Sequence, residues 1–179
     1  PQEVAGLLPM AGQVPNARLL VPVHVFDNGF ALMARPDETE TFDELMLKHG
    51  GDIAKSEADA AAQMSGKTIV TTAHTDMEVG VYAAATYLGG LDYLNDITII
   101  DMNPDEGLAA FLAGEGDMYI GGIPHRLRAL KEGYPEHITG MHLGPGATPL
   151  VGQAVTQEFM DENYDALLRV FRVWNRTSR

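Results

Sequence analysis

The chain has no cysteine, so disulfide staples, thiol nucleophiles and thiolate metal sites are excluded at once. Such a composition fits an oxidising compartment. Positive charge is scarce, since 12 Lys and Arg face 25 Asp and Glu and leave a formal net charge of -13. Nucleic acid and anionic membrane both demand a basic footprint, so neither is expected as a partner, and the acidity reads as a solubility device. No apolar run approaches the roughly 20 residues of a membrane span. The phosphate-binding patterns G-x-G-x-x-G and G-x-x-x-x-G-K-[ST] are missing, as is a nucleophile elbow. No His and Asp stand at a spacing that argues for a triad, and the six histidines form no H-x-x-x-H pair. Neither a metal nor a cofactor is expected, and no catalytic residue stands out.

What is present organises itself around residues 65–133, where three short apolar runs are each followed by a helical pattern. The runs are Lys67 to Thr72, Ile97 to Asp101 and Met118 to Ile120. This alternation is the mark of parallel β-α units, whose crossovers are right-handed almost without exception. The spacing predicts helices from about Asp76 to Leu88, from Pro104 to near Ala113, and from Pro124 to Gly133. Thr75-Asp76-Met77-Glu78 fits a capping box, with Glu78 expected to reach back to the Thr75 N–H. Asn103 serves as cap for Pro104 at the first helical position, and Gly114 and Gly133 suit left-handed helix ends.

The flanks are less regular. Leu19 to Val25 reads as a strand that Pro22 pushes toward a sheet edge, and Asn28-Gly29 suggests a tight reversal into a second strand, Phe30 to Ala34. Residues 37–65 give one amphipathic helix on Phe42, Leu45, Met46 and Leu47 and a weaker one after Gly50-Gly51. Past Gly133 come a short strand near Ile138, a loop at Gly144-Pro145-Gly146 and a strand over residues 147–155. Asp161 or Asn163 is expected to cap a last helix bearing the stripe Leu167, Leu168, Phe171 and Trp174, which needs a partner surface. The first eighteen residues carry no secretory-signal pattern and read like the interior of something longer. With 45% apolar residues, the 179-residue chain has enough for a real core.

In open α/β sheets, ligands sit beyond the carboxyl ends of the strands. The loops there would bring together Thr72, His74, Thr75, Asn103 and His125, with Phe26, Asp27 and Asn28 along an edge. Each has a plainer explanation too: Thr75 and Asn103 serve as helix caps, and His74 and His125 as ordinary loop histidines.

Gly66-Lys67 enters a strand, a helix closes at Gly90-Leu91, and Pro104-Asp105 opens the next. Leu112-Ala113-Gly114-Glu115-Gly116-Asp117 precedes a third strand, and Lys131-Glu132-Gly133 closes the helix after Pro124. In this order the segments resemble the solute-binding proteins of bacterial ABC importers. The stretch Gly29-Phe30-Ala31-Leu32-Met33-Ala34-Arg35 is similar to the strand by which the nitrate, sulfonate, taurine and pyrimidine-precursor group enters its second lobe. Val155-Thr156-Gln157-Glu158-Phe159 is similar to the segment that returns from it. The resemblance implies an α/β fold of periplasmic-binding-protein type II, a small open, mostly parallel sheet with helices on both faces. It further implies a first-lobe and hinge segment at 1–35, a second lobe at 36–146, and a return strand with a first-lobe helix at 147–179. Such a protein traps a small solute without chemistry, works with the membrane subunits of an importer, and resides in the periplasm or outside the cell. A sensory domain and a small α/β enzyme remain the other readings.

Charge bears on the solute. Helix N-termini attract anions, but Asp76 and Glu78 already occupy one such end and Asp105 and Glu106 the next. A neutral, zwitterionic or cationic organic ligand is therefore expected in preference to an oxyanion.

Overall fold

The computed structural model describes residues 2–3, 16–25, 28–36, 38–143 and 150–177. These fall into two compact units, Pro1–His24 with Leu150–Arg179, and Val25–Pro149.

In the first unit, β1 (Gln2–Glu3), β2 (Ala17–Val25) and β8 (Leu150–Thr156) form a sheet in the order β1-β8-β2. Pro22 therefore sits on an edge strand, where proline is tolerated. The last helix, α6 (Gln157–Thr177), begins earlier than expected because the Thr156 hydroxyl accepts from Phe159 N–H at 3.2 Å and acts as cap. Asn163 is a kink inside the helix (φ -125°, ψ 21°), with its side-chain amide donating to Phe159 O at 3.1 Å. Leu167, Leu168 and Phe171 are half-buried and Trp174 is 39% exposed.

The second unit is built on a five-stranded sheet in the order β5-β4-β6-β3-β7. Its strands are β3 (Phe30–Ala34), β4 (Thr68–Thr71), β5 (Thr98–Asp101), β6 (Met118–Gly122) and β7 (Glu136–Thr139). β4 pairs in parallel with both β5 and β6, while β3 runs antiparallel to β6 and β7. Four strands thus share one direction and β3 opposes them, a mixed but mostly parallel sheet. Asn28-Gly29 makes no hairpin: β2 and β3 belong to different sheets, because all five residues of β3 are buried and it is claimed by neighbours on both sides.

Strand alternation splits the core in two. Phe30, Leu32, Ile69, Met118 and Ile120 face α1 (Phe42–Lys48), α2 (Ile53–Ala62) and α3 (Asp76–Ala83, continuing as a π-helical turn over Ala84–Leu88). Ala31, Met33, Val70 and Tyr119 face α4 (Pro104–Ala113) and α5 (His125–Lys131). On α1 only Leu45 is buried, and Leu47, expected on the apolar face, is 84% exposed. Asp117 fixes the entry of β4, its carboxylate accepting Thr68 N–H at 2.7 Å while its own N–H donates to Thr68 O at 2.7 Å. No described helix is long and apolar enough to cross a membrane.

Candidate functional site

The adjacency of β5, β4 and β6 brings the loops at their carboxyl ends together, and most of the predicted site residues with them. Thr72 Oγ1 donates to Met102 O at 2.8 Å, which links the loop after β4 to the loop after β5. Ala73 N–H donates to Asp101 Oδ1 at 2.8 Å across the same gap. Thr75 Oγ1 donates to Thr72 O at 2.6 Å and accepts Met77 N–H at 3.3 Å, so it is the cap of α3. The capping box itself is displaced by one residue: Glu78 accepts from the N–H of His74, at 2.6 Å, and not from that of Thr75. His74 stands at φ +60°, in the left-handed region, and its imidazole is 94% exposed. Glycine would enter that region freely; a histidine does so at a steric cost.

Asn103 caps α4 as expected, Oδ1 accepting Glu106 N–H at 3.0 Å. His125 Nε2 meets Asp105 Oδ1 at 2.9 Å, which joins the starts of α4 and α5. Asn28 is engaged by Arg126. Its backbone oxygen and Oδ1 accept from Arg126 Nη1 at 2.6 and 3.1 Å, and the same guanidinium forms a two-point ion pair with Glu136. Phe26 and Asp27 lie outside the described residues.

Sequence reasoning passed over Asp76 as a site residue. It opens α3 at the carboxyl end of β4 and is only 7% exposed, so a carboxylate lies at the floor of these loops. Its place was legible as the first helical residue; its burial was not. Tyr93 was also missed. Its hydroxyl donates to Glu78 Oε1 at 2.8 Å, and burial together with that bond pushes the phenol well above its ordinary pKa. Among the described residues no cluster of His, Cys, Asp and Glu is arranged to hold a metal.

Two hollows elsewhere in this unit are accounted for by the fold. One of about 610 Å³ lies at the other end of β3, against Glu38, Glu40 and Glu44. Those carboxylates are engaged by Lys67 (3.5 Å), Lys48 (2.8 Å) and the Thr41 cap respectively. A second, of about 620 Å³, runs along β7 beside His137 and His142. His137 is the extra residue of a bulge, since Ile138 faces Leu32 and Glu136 faces Met33. The bulge turns its Nε2–H to Ala60 O at 2.7 Å, in the last turn of α2.

Comparison with solved structures agrees with this layout. The periplasmic aliphatic sulphonate binding protein SsuA from Escherichia coli superposes with a TM-score of 0.66 at 16% identity, over 97% of this chain and 50% of that one. The alkanesulfonate-binding protein SsuA from Xanthomonas axonopodis pv. citri, bound to MOPS, gives 0.67 at 16%, over 97% and 53%. The fold is that of the periplasmic binding proteins. A ligand binding component of an ABC-type import system from Staphylococcus aureus, with zinc bound, gives 0.63 at 13%, over 92% of this chain and 50% of its own. The chain thus spans about half the length of these structures. No protein-family model and no curated protein matches the sequence.

Proposed function

We propose that the chain is part of the solute-binding component of an ABC importer, residing in the periplasm or outside the cell. Residues 36–146 together with β3 make up its second lobe, and the stretches before β3 and over 147–179 are hinge and first-lobe segments. The observation that carries this reading is the path of the chain: β2 lies in one sheet, β3 through β7 in another, and β8 returns to the first. Two strand connections between two α/β bodies are what hinge closure over a ligand requires. The solute is trapped by its higher affinity for the closed state, without chemistry, and is handed to the importer's membrane subunits. Thr72, His74, Thr75, Asp76, Asn103 and His125 supply the second-lobe side of the site, with Phe26 and Asn28 toward the hinge.

The solute is a neutral, zwitterionic or cationic organic molecule. Asp76 and Asp105 occupy the first turns of the helices at this end of the sheet, while Arg126 is committed to Glu136 and Asn28. A bare oxyanion would meet negative charge there, although neighbours of the same fold are named for sulfonates.

A thermal-shift panel of sulfate, ethanesulfonate, taurine, L-arginine, putrescine and thymine tests this. A compound at ~100 times its Kd stabilises by ~2.7 kcal/mol, a rise of roughly 5–10 °C. Taurine, an amine or the heterocycle should lead, unchanged after incubation. A panel led by sulfate or ethanesulfonate would refute the charge argument, and consumption of the bound compound would refute the absence of chemistry.

A further inference from the structure

We propose that Glu78 and Tyr93 are positioning residues for the solute site, holding His74 in its left-handed conformation so that the imidazole is presented to the solute. This rests on the solute-binding reading above. Tyr93, from the segment that follows α3, donates its hydroxyl to Glu78 Oε1 at 2.8 Å. That bond orients the carboxylate so that Oε2 takes the His74 N–H at 2.6 Å, with His74 Nδ1 4.0 Å away. Tyr93 is itself held edge-on against Tyr82, ring centroids 5.4 Å apart. The loop on the other side of His74 is pinned by Asp101 to Ala73 N–H and by Thr75 to Thr72 O.

His74 is the one described non-glycine residue at positive φ, and its own side chain does not repay the cost. Its imidazole is 94% exposed, so packing returns no energy for the strained backbone. Strain of this kind persists where the surroundings over-determine it and gathers at ligand clamps. Here the surroundings are Glu78 and Tyr93, and an exposed ring in the loop that opens α3 is what they deliver.

The test uses the protein with Tyr93→Phe, Glu78→Gln, His74→Gly and His74→Asn. Without any ligand, the His74 HN–Hα coupling and intraresidue NOE should report positive φ in the wild type. Both should become averaged in Tyr93→Phe and Glu78→Gln, whereas a left-handed His74 retained in both variants would overturn the proposal. Titration with taurine, L-arginine and ethanesulfonate follows. His74→Gly should raise the melting temperature by about 2 °C by relieving strain, yet weaken binding ~3–10-fold. Tyr93→Phe, which removes a single oxygen, should weaken binding without lowering the melting temperature to match. Asn, which tolerates positive φ and keeps a polar group, should restore part of the affinity. Binding of a probe equally by wild type and His74→Gly would overturn the role of the ring. If no probe binds the wild type, the solute reading fails on its own and the coupling data still decide whether Glu78 and Tyr93 hold His74.

Discussion

Arg35, at the end of β3, carries a prediction whose size follows from geometry. Its Nε and Nη2 donate to Gly116 O at 3.0 and 2.7 Å, and Nη2 also donates to Phe111 O at 3.0 Å. The guanidinium carbon lies 4.8 Å over the Phe111 ring. Phe111 is in the last turn of α4, so the fork closes that helix and ties it to the end of β3. A hydrogen bond from a charged donor is worth ~1.5–3 kcal/mol, but these share one partly exposed cation and do not add in full. Arg35→Ala should therefore cost about 2–4 kcal/mol, a large share of the ~5–15 kcal/mol typical of a domain. Arg35→Lys keeps the charge but reaches one carbonyl, and should lose about half as much. Urea unfolding should be followed by far-UV circular dichroism, because the one tryptophan, Trp174, belongs to the other unit and would report on the wrong body. If Arg35→Lys unfolds at the wild-type midpoint, charge alone suffices and the fork argument is refuted.

Two further outcomes are expected. Gly121→Ala would place a methyl 2.5 Å from the Tyr119 ring, which cannot retreat because Phe111 stacks on it and Pro104 O accepts its hydroxyl, so urea titration should show a loss of about 1–3 kcal/mol. Burial holds the His137 imidazole below its usual pKa, so below about pH 6.5 the unfolded chain takes up a proton that folded His137 refuses; stability is complete above that pH and falls as acid is added. Urea midpoints between pH 7.5 and 5.5 should decline in the wild type and less steeply in His137→Gln, with the residue of the slope belonging to His142, also depressed by burial; an unchanged slope would remove His137 as the cause.

Much of the second unit was legible because local signals and tertiary demands coincide there. Asn103-Pro104 followed by two acids opens a helix under almost any circumstances, and Gly114 at φ +108° closes it. The same was true of Thr41 with Glu44, a complete capping box that the sequence offers and that went unread beside the more conspicuous Thr75. Asn28-Gly29 misled because a two-residue turn signal says nothing about which strands have other partners. β3 is taken by β6 and β7, and no local preference for a hairpin competes with burial of five apolar residues. The bulge at His137 was invisible for the same reason: Glu136-His137-Ile138 looks like ordinary alternation until the carbonyl of Ala60, far away in sequence, requires a donor.

Charge at the candidate site shows where reading by composition stops and chemistry by neighbour begins. From the sequence, Asp76, Glu78, Asp105 and Glu106 count as four equal negative charges at two helix starts. In the fold they are unlike. Glu78 spends both oxygens on His74 N–H and the Tyr93 hydroxyl, and so acts on geometry more than on ligand charge. Asp105, 96% exposed beside His125, and Glu106, also exposed, have their charges screened by water. Asp76, nearly buried at the start of α3, sits where the dielectric is low and a charge is felt most strongly. The preference against a bare oxyanion therefore rests chiefly on one carboxylate. Asp76→Asn, which keeps the shape and removes the charge, should shift the panel toward ethanesulfonate and away from L-arginine and putrescine. An unchanged order of ligands would refute Asp76 as the source of the selectivity.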